Sequence, residues 1–188
     1  MKCILLILII FKISSYTGDE FTVWKYLRKE GKLTKSGTAG LMANIKAVSK
    51  VRSIAYDDNN KEKVGLTDEE YVQKVNSGEY NEEQFVSDNI GFGLIMWKNP
   101  GRKKALYDMC KENIGDLKCQ LKFLLGELKT NYSSLYKYLT DSMKGFLECA
   151  YRFPNDFSSH ELNVGKSAYT NYALDYFYNL KKLIEYKK

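Results

Sequence analysis

The sequence predicts a single, mostly helical α+β domain with a small β-hairpin element near its middle. Apolar residues recur at helical spacing along most of the chain. One short stretch, residues 90–97 (IGFGLIMW), is instead aromatic, β-branched and glycine-bearing. A length of 188 residues suits one domain and leaves no room for two large ones. With 15 Tyr, 9 Phe and only 2 Pro, the composition is globular and rich enough in aromatic bulk for a core.

The first residues read as a leader. Lys2 precedes an unbroken apolar run, Cys3 to Phe11, which ends at Lys12 and is followed by Ser14, Ser15, Thr17 and Gly18. A charged start, an apolar stretch and a small-residue exit are the parts of a secretory signal peptide. About nine apolar residues are too few for a ~30 Å bilayer; the competing reading is a buried strand or short anchor. No later stretch is apolar enough to cross a membrane. The expectation is a signal peptide over residues 1–18 and a domain over 19–188.

Phe21, Trp24 and Leu27 predict a first helix, stopped near Gly31. Ser36 is placed to cap a second, with Leu41, Ile45 and Val48 on one face. Residues 53–65 are polar and loop-like. Thr67 and Glu70 form a capping box ahead of Tyr71, Val72 and Val75. Residues 81–88 suit a further turn of helix. Residues 90–97 follow as a strand or hairpin, then a turn at Pro100-Gly101 and a helix over 102–111. Asp116 caps a helix with Leu117, Leu121, Leu124, Leu125 and Leu128 on one face. Met143, Phe146, Leu147 and Ala150 line another. A C-terminal helix runs from about Val164, with Tyr169, Tyr172, Ala173, Tyr176, Leu180 and Leu183 inward.

Several chemistries are excluded early. One His (His160) and 4 Cys nearly rule out a multi-ligand zinc site, and no metal or cofactor is called for. Gly91-x-Gly93 lacks the third glycine and the strand-then-helix context of a nucleotide site. Ser49 has no adjacent base, and His160 sits far off in a polar loop, so a Ser or Cys hydrolase lacks its partner. The charge of +6 falls to +4 once Lys2 and Lys12 leave with the leader. That mild excess permits attraction to anionic polymers but is no nucleic-acid signature.

Leader loss leaves Cys110, Cys119 and Cys149. In an oxidising compartment they suggest one disulfide and one spare thiol. Cys119 lies about 200° round the helix from Leu117, and Cys149 lies off the stripe of Met143, Phe146 and Leu147. Two cysteines away from apolar faces suggest a Cys119–Cys149 pair; Cys110 with either stays open. Asn131-Tyr132-Ser133 is the only glycosylation sequon, usable in a eukaryotic host and otherwise a chance tripeptide.

Residues 33–49 (LTKSGTAGLMANIKAVS) resemble the phage tail lysozyme family, whose pattern here is roughly LT-x-x-G-x-AGLMGNL-x-AES. Residues 66–71 (LTDEEY), 88–97 (DNIGFGLIMW, against D-x-x-GYGLAQW), 100–106 and 114–117 continue the match in order. The resemblance implies a lysozyme-like fold and action on bacterial peptidoglycan. It implies a cleft built from Val48, Ser49, Asp88, Gly91, Phe92, Gly93, Met96 and Trp97, and a Glu at the end of the second helix that protonates the glycosidic oxygen.

The chain departs from the family at that point. The family Glu falls on Val48 and the family Gln on Met96, so two polar cleft positions are apolar. Val48 also continues the Leu41 and Ile45 stripe, so the residues alone read it as core. A substitute acid would come from Asp57, Asp58, Glu62 or Asp88, although Asp88 reads first as a brace of its turn. Arg102-Lys103-Lys104 is either a solvated helix start or a contact for an anionic wall polymer. The expectation is a secreted, monomeric, lysozyme-like pseudoenzyme that binds cell-wall glycan. The rivals are an active muramidase with a relocated carboxylate, and a structural or surface protein reusing the fold as a scaffold.

Overall fold

The computed structural model describes residues 16–57, 64–157 and 166–180. The expected leader, Asp58, Glu62, His160 and Leu183 lie outside these residues. Within them the chain forms nine α-helices: α1 (Gly18–Lys29), α2 (Lys35–Ser49), α3 (Asp68–Ser77), α4 (Glu82–Ser87), α5 (Pro100–Cys110), α6 (Leu117–Thr130), α7 (Ser133–Thr140), α8 (Phe146–Phe157) and α9 (Lys166–Asp175). α9 runs into a π-helical turn, Tyr176–Leu180. Among the described residues no helix is long and apolar enough to cross a membrane.

The helix starts follow local chemistry. Thr17 with Glu20, Thr67 with Glu70 and Asn81 with Gln84 close capping boxes on α1, α3 and α4. Asp116 caps α6 by accepting from the Cys119 N–H at 2.7 Å. The cap of α2 lies two residues earlier than expected. Thr34, not Ser36, accepts from the Gly37 N–H at 2.9 Å, because Thr34 is also held by Leu139 O at the end of α7. α7 was not expected.

α2 is the centre of the fold. All nine residues from Gly37 to Ile45 are buried. The glycines make this possible. A Cβ at Gly40 would fall 2.6 Å from Ala150 N and from Cys149 Cβ on α8; one at Gly37 would fall 2.0 Å from Leu139 O. Asn44 Nδ2 then donates to Gly40 O (2.8 Å) and Ala150 O (2.9 Å), tying α8 to α2. Tyr169 and Ala173 of α9 pack on Ala43 and Ala150. The residues that carry the LT-x-x-G-x-AG motif are therefore largely packing residues.

The β-hairpin is replaced by a tighter loop. Among the described residues there is no strand, only two isolated bridges, Tyr56 to Phe92 and Phe92 to Trp97. Phe92 and Trp97 exchange both backbone hydrogen bonds (3.1 and 2.9 Å), and Gly93 N donates to Ala55 O at 2.7 Å. Helix α4 ends at Ser87 and α5 begins at Pro100. Outward of the Phe92–Trp97 pair, Gly91 O accepts from Asp57 N, Ile90 O accepts from Lys103 Nζ and Asn99 caps α5, so the ladder does not continue.

Two helical glycines give a paired test of this packing. Gly40→Ala should destabilise the fold by about 1–3 kcal/mol, since backbone and not a flexible side chain blocks the methyl. Gly126→Ala in exposed α6 has nothing within 4 Å and should gain about 0.5–1 kcal/mol. Urea midpoints of the two variants check both signs.

Candidate functional site

α2 reaches solvent only at its ends. After Ile45, residues Lys46, Ala47 and Val48 are half-buried, and Ser49 is buried again. The Ser49 hydroxyl lies 2.8 Å from Leu94 O and 2.9 Å from Ile45 O, which joins the helix end to the 91–97 loop. The chain then turns through Lys50 (φ 56°) and Val51 (φ 64°). A left-handed β-branched residue is a genuine strain, of order 1–3 kcal/mol. The turn lays residues 52–57 beside the loop, where Asp57 N donates to Gly91 O at 2.9 Å.

The loop is held from behind by Gln120, which is fully buried on α6. Its Oε1 accepts from Leu94 N at 3.0 Å. Its Nε2 donates to Ser53 O (2.7 Å) and Ile114 O (2.6 Å). One carboxamide thus joins three separate loops. Gly93 has φ 78°, and a Cβ there would stand 2.7 Å from Gln120 Oε1, so both conformation and space require glycine. Ser53 Oγ adds a bond to Gly115 O at 2.7 Å. Sequence reasoning missed Gln120. Its signal was present: it sits three residues after Leu117 and four before Leu124, on the apolar stripe of α6.

The expected Cys119–Cys149 disulfide is not formed. Cys110 and Cys119 are bonded, with Cα atoms 5.9 Å apart, and Cys149 is free and buried. The expectation failed because the α8 stripe was misplaced. Met143 precedes α8 and is 87% exposed, whereas Cys149, Ala150, Phe153 and Phe157 form the buried face. Burial also pushes the Cys149 thiol up to about 12. The disulfide closes residues 111–118, the loop whose Ile114 and Gly115 carbonyls serve Gln120 and Ser53. It borders a surface hollow of about 390 Å³, on which Cys119 is half-buried and Cys110 buried.

Asp88 has no oxygen left for a substrate. Its side chain is 5% exposed and pairs with the fully buried Lys103. It also accepts from the Tyr71 hydroxyl (2.5 Å), the Tyr80 hydroxyl (3.4 Å) and Ile90 N (2.8 Å). Burial pushes both phenols up, with Asp88 adding to it, Tyr80 to about 12. Burial pulls Lys103 down, and Asp88 opposes that shift. Trp97 is likewise built in: its Nε1 donates to Glu127 Oε2 at 2.8 Å. Arg102 clamps the same carboxylate at 2.6 and 2.9 Å and lies 4.5 Å over the Phe157 ring. Lys104 pairs with Asp108 and Glu82. Within the Arg102-Lys103-Lys104 run, Arg102 and Lys103 are engaged internally, while Lys104 stays exposed in surface pairs.

Of the eight expected cleft residues, Ser49, Gly91, Phe92, Gly93 and Trp97 are buried supports, and Asp88 is a buried brace. Val48 and Met96 are the two with half-exposed side chains. Met96 is held at φ 54°, beside Gly91. Asn131 is exposed at the end of α6, away from this loop in sequence.

The family model described as phage tail lysozyme matches residues 20–179. No curated protein and no solved structure matches the chain.

Non-reducing peptide mapping should find Cys110 linked to Cys119, with Cys149 unalkylated at pH 8 until the protein is unfolded. Closing so short a loop is worth about 2–3 kcal/mol in the chain-entropy treatment. A small dithiol should therefore leave α2 folded. It should speed hydrogen exchange at the Leu94 amide at least tenfold while the Leu41 and Ile45 amides stay protected. Equal loss at all three would refute a local role for the staple.

Proposed function

Because the chain belongs to the phage tail lysozyme family, we propose that it is a secreted cell-wall protein that binds peptidoglycan glycan in the family cleft and cleaves it poorly or not at all. The observation that carries this reading is the character of the two half-exposed cleft side chains. On the resemblance read in the sequence, Val48 and Met96 fall where the family has its proton donor and its polar wall residue, and neither carries a proton to transfer. General acid catalysis is typically worth 10²–10⁴-fold, and nothing at position 48 supplies it. The supporting frame is retained around them: the Ser49 bond to Leu94, the strained Lys50-Val51 turn and the Gln120 clamp. A sugar ring at the end of α2 would meet valine in place of a proton donor.

A second reading keeps activity through a relocated carboxylate. Asp57 favours it, since it is half-buried and its backbone lies on the Gly91 carbonyl at the same loop. Asp88 speaks against it, because its oxygens are all taken. In the scaffold reading the cleft binds nothing.

The test is a turbidity assay on Gram-positive walls with the mature protein. The unmodified chain should clear walls no faster than its heat-denatured control. Val48→Glu with Met96→Gln should give measurable clearing. Half-burial of the new carboxylate should cost about 1–3 kcal/mol of stability. Clearing by the unmodified protein at a lysozyme-like rate, abolished by Asp57→Asn, would establish the relocated acid instead.

Export has its own test. Tyr16 donates to Asp175 at 2.6 Å and Thr17 caps α1, so a cut at Gly18 would remove two structural residues. The exported protein should begin at or before Tyr16 in N-terminal sequencing. An intact Met1 on soluble protein would contradict export.

A further inference from the structure

Among the described residues, α6 carries a line of exposed lysines with no ion pair. Lys118, Lys122 and Lys129 are all exposed. At 100° per residue they fall within about 40° of one another, in a line about 16 Å long. Gly126, about 40° outside that line, is exposed beside it. The single acid of α6, Glu127, points the other way, to Arg102 and Trp97. Asp116, at the helix start, is engaged with the Cys119 amide. The Lys129 ammonium lies 5.8 Å from the Tyr136 ring on α7, and exposed Lys137 follows that ring. Among the described residues none of these four lysines forms an ion pair. Acids collect elsewhere: residues 68–88 hold seven Asp or Glu and one Lys.

We propose that the outer face of α6, continued by Lys137, is a docking surface for a linear phosphodiester polymer of the bacterial wall. The assignment of the polymer to the wall rests on the functional reading above; the charge arrangement does not. Like charges one turn apart repel each other, and a polyanion laid along the line relieves that repulsion while releasing its counterions. Lysine suits this task. Its ammonium is a point charge that follows a flexible chain of phosphates without demanding the fixed two-pronged geometry of arginine. On α6 itself the line carries no aromatic side chain, and the neighbouring Tyr136 ring is half-buried with its hydroxyl donated to Gly31 O at 3.0 Å, so the surface lacks the row of open rings used to stack nucleic-acid bases. Docking here would hold the protein on the wall and leave the α2 terminus to the glycan.

The probe is labelled poly(glycerol phosphate), titrated into the mature protein at 50 and 200 mM NaCl. Binding should weaken with salt, with a slope of about 2–3 in log–log form for three or four phosphates neutralised. The triple variant Lys118→Gln, Lys122→Gln, Lys129→Gln should lose at least tenfold in affinity at 50 mM salt and about two units of slope, with an unchanged melting curve. The charge-matched triple Lys74→Gln, Lys104→Gln, Lys111→Gln should stay within about twofold of the parent. Equal losses in the two triples, or no binding at 50 mM salt, would overturn the proposal. Tenfold tighter binding to duplex DNA of equal phosphate number would overturn the wall assignment. Walls stripped of phosphate polymers should still bind the α6 triple and the parent equally. Failure on stripped walls alone counts against the cleft reading and leaves the α6 surface standing.

Discussion

The structure depends on the complete burial of the middle of α2. A helix buried on all sides needs neighbours on all sides, and it needs small residues where they come closest. Gly37 and Gly40 let the end of α7 and the backbone of α8 approach to distances that any Cβ would forbid. Asn44 then secures α8 by two hydrogen bonds. α9 packs its Tyr169 and Ala173 on the same region. Toward its C-terminal end the helix becomes half-exposed at Lys46, Ala47 and Val48, so its last turn is where buried scaffold meets accessible surface. The position of the site follows from the packing.

A second constraint shapes what that turn faces. The 91–97 loop has too few backbone pairs to hold itself, and Gln120 holds it from the core. A buried carboxamide with all its bonds made fixes one geometry, and with any bond missing it becomes a cost. Here it is served by Leu94, Ser53 and Ile114, and the Cys110–Cys119 disulfide restrains the loop that presents Ile114. The left-handed Lys50, Val51 and Met96 are strained positions that this frame sustains.

Much of this was legible in the chain. Helix starts are local chemistry, so Thr67 and Glu70, Asn81 and Asp116 announce α3, α4 and α6 without tertiary information. The α2 cap was misread because Thr34 is chosen by a long-range bond to Leu139, which no local pattern contains. Residues 90–97 have the composition of a strand, but Ile90 O and Gly91 O are taken by Lys103 and Asp57, and Asn99 by the start of α5. The cysteine pairing failed on a helix register error: Met143 looks like core and lies outside α8. Val48 is apolar and continues a stripe, so periodicity alone buries it; its half-exposure follows from where the neighbouring helices end. Gln120 was visible as a polar residue on an apolar face. What it binds was not, since its three partners are spread from Ser53 to Ile114.

The direct measurement is an NMR titration of the labelled mature protein with a soluble peptidoglycan glycan fragment, followed over hours. Binding without cleavage should shift the amides of residues 46–50 and 91–97, leave those of Leu41 and Leu124 in place, and leave the fragment at its original length. A fragment that shortens, or shifts confined to other faces of the molecule, would contradict a cleft that binds glycan and has lost its acid.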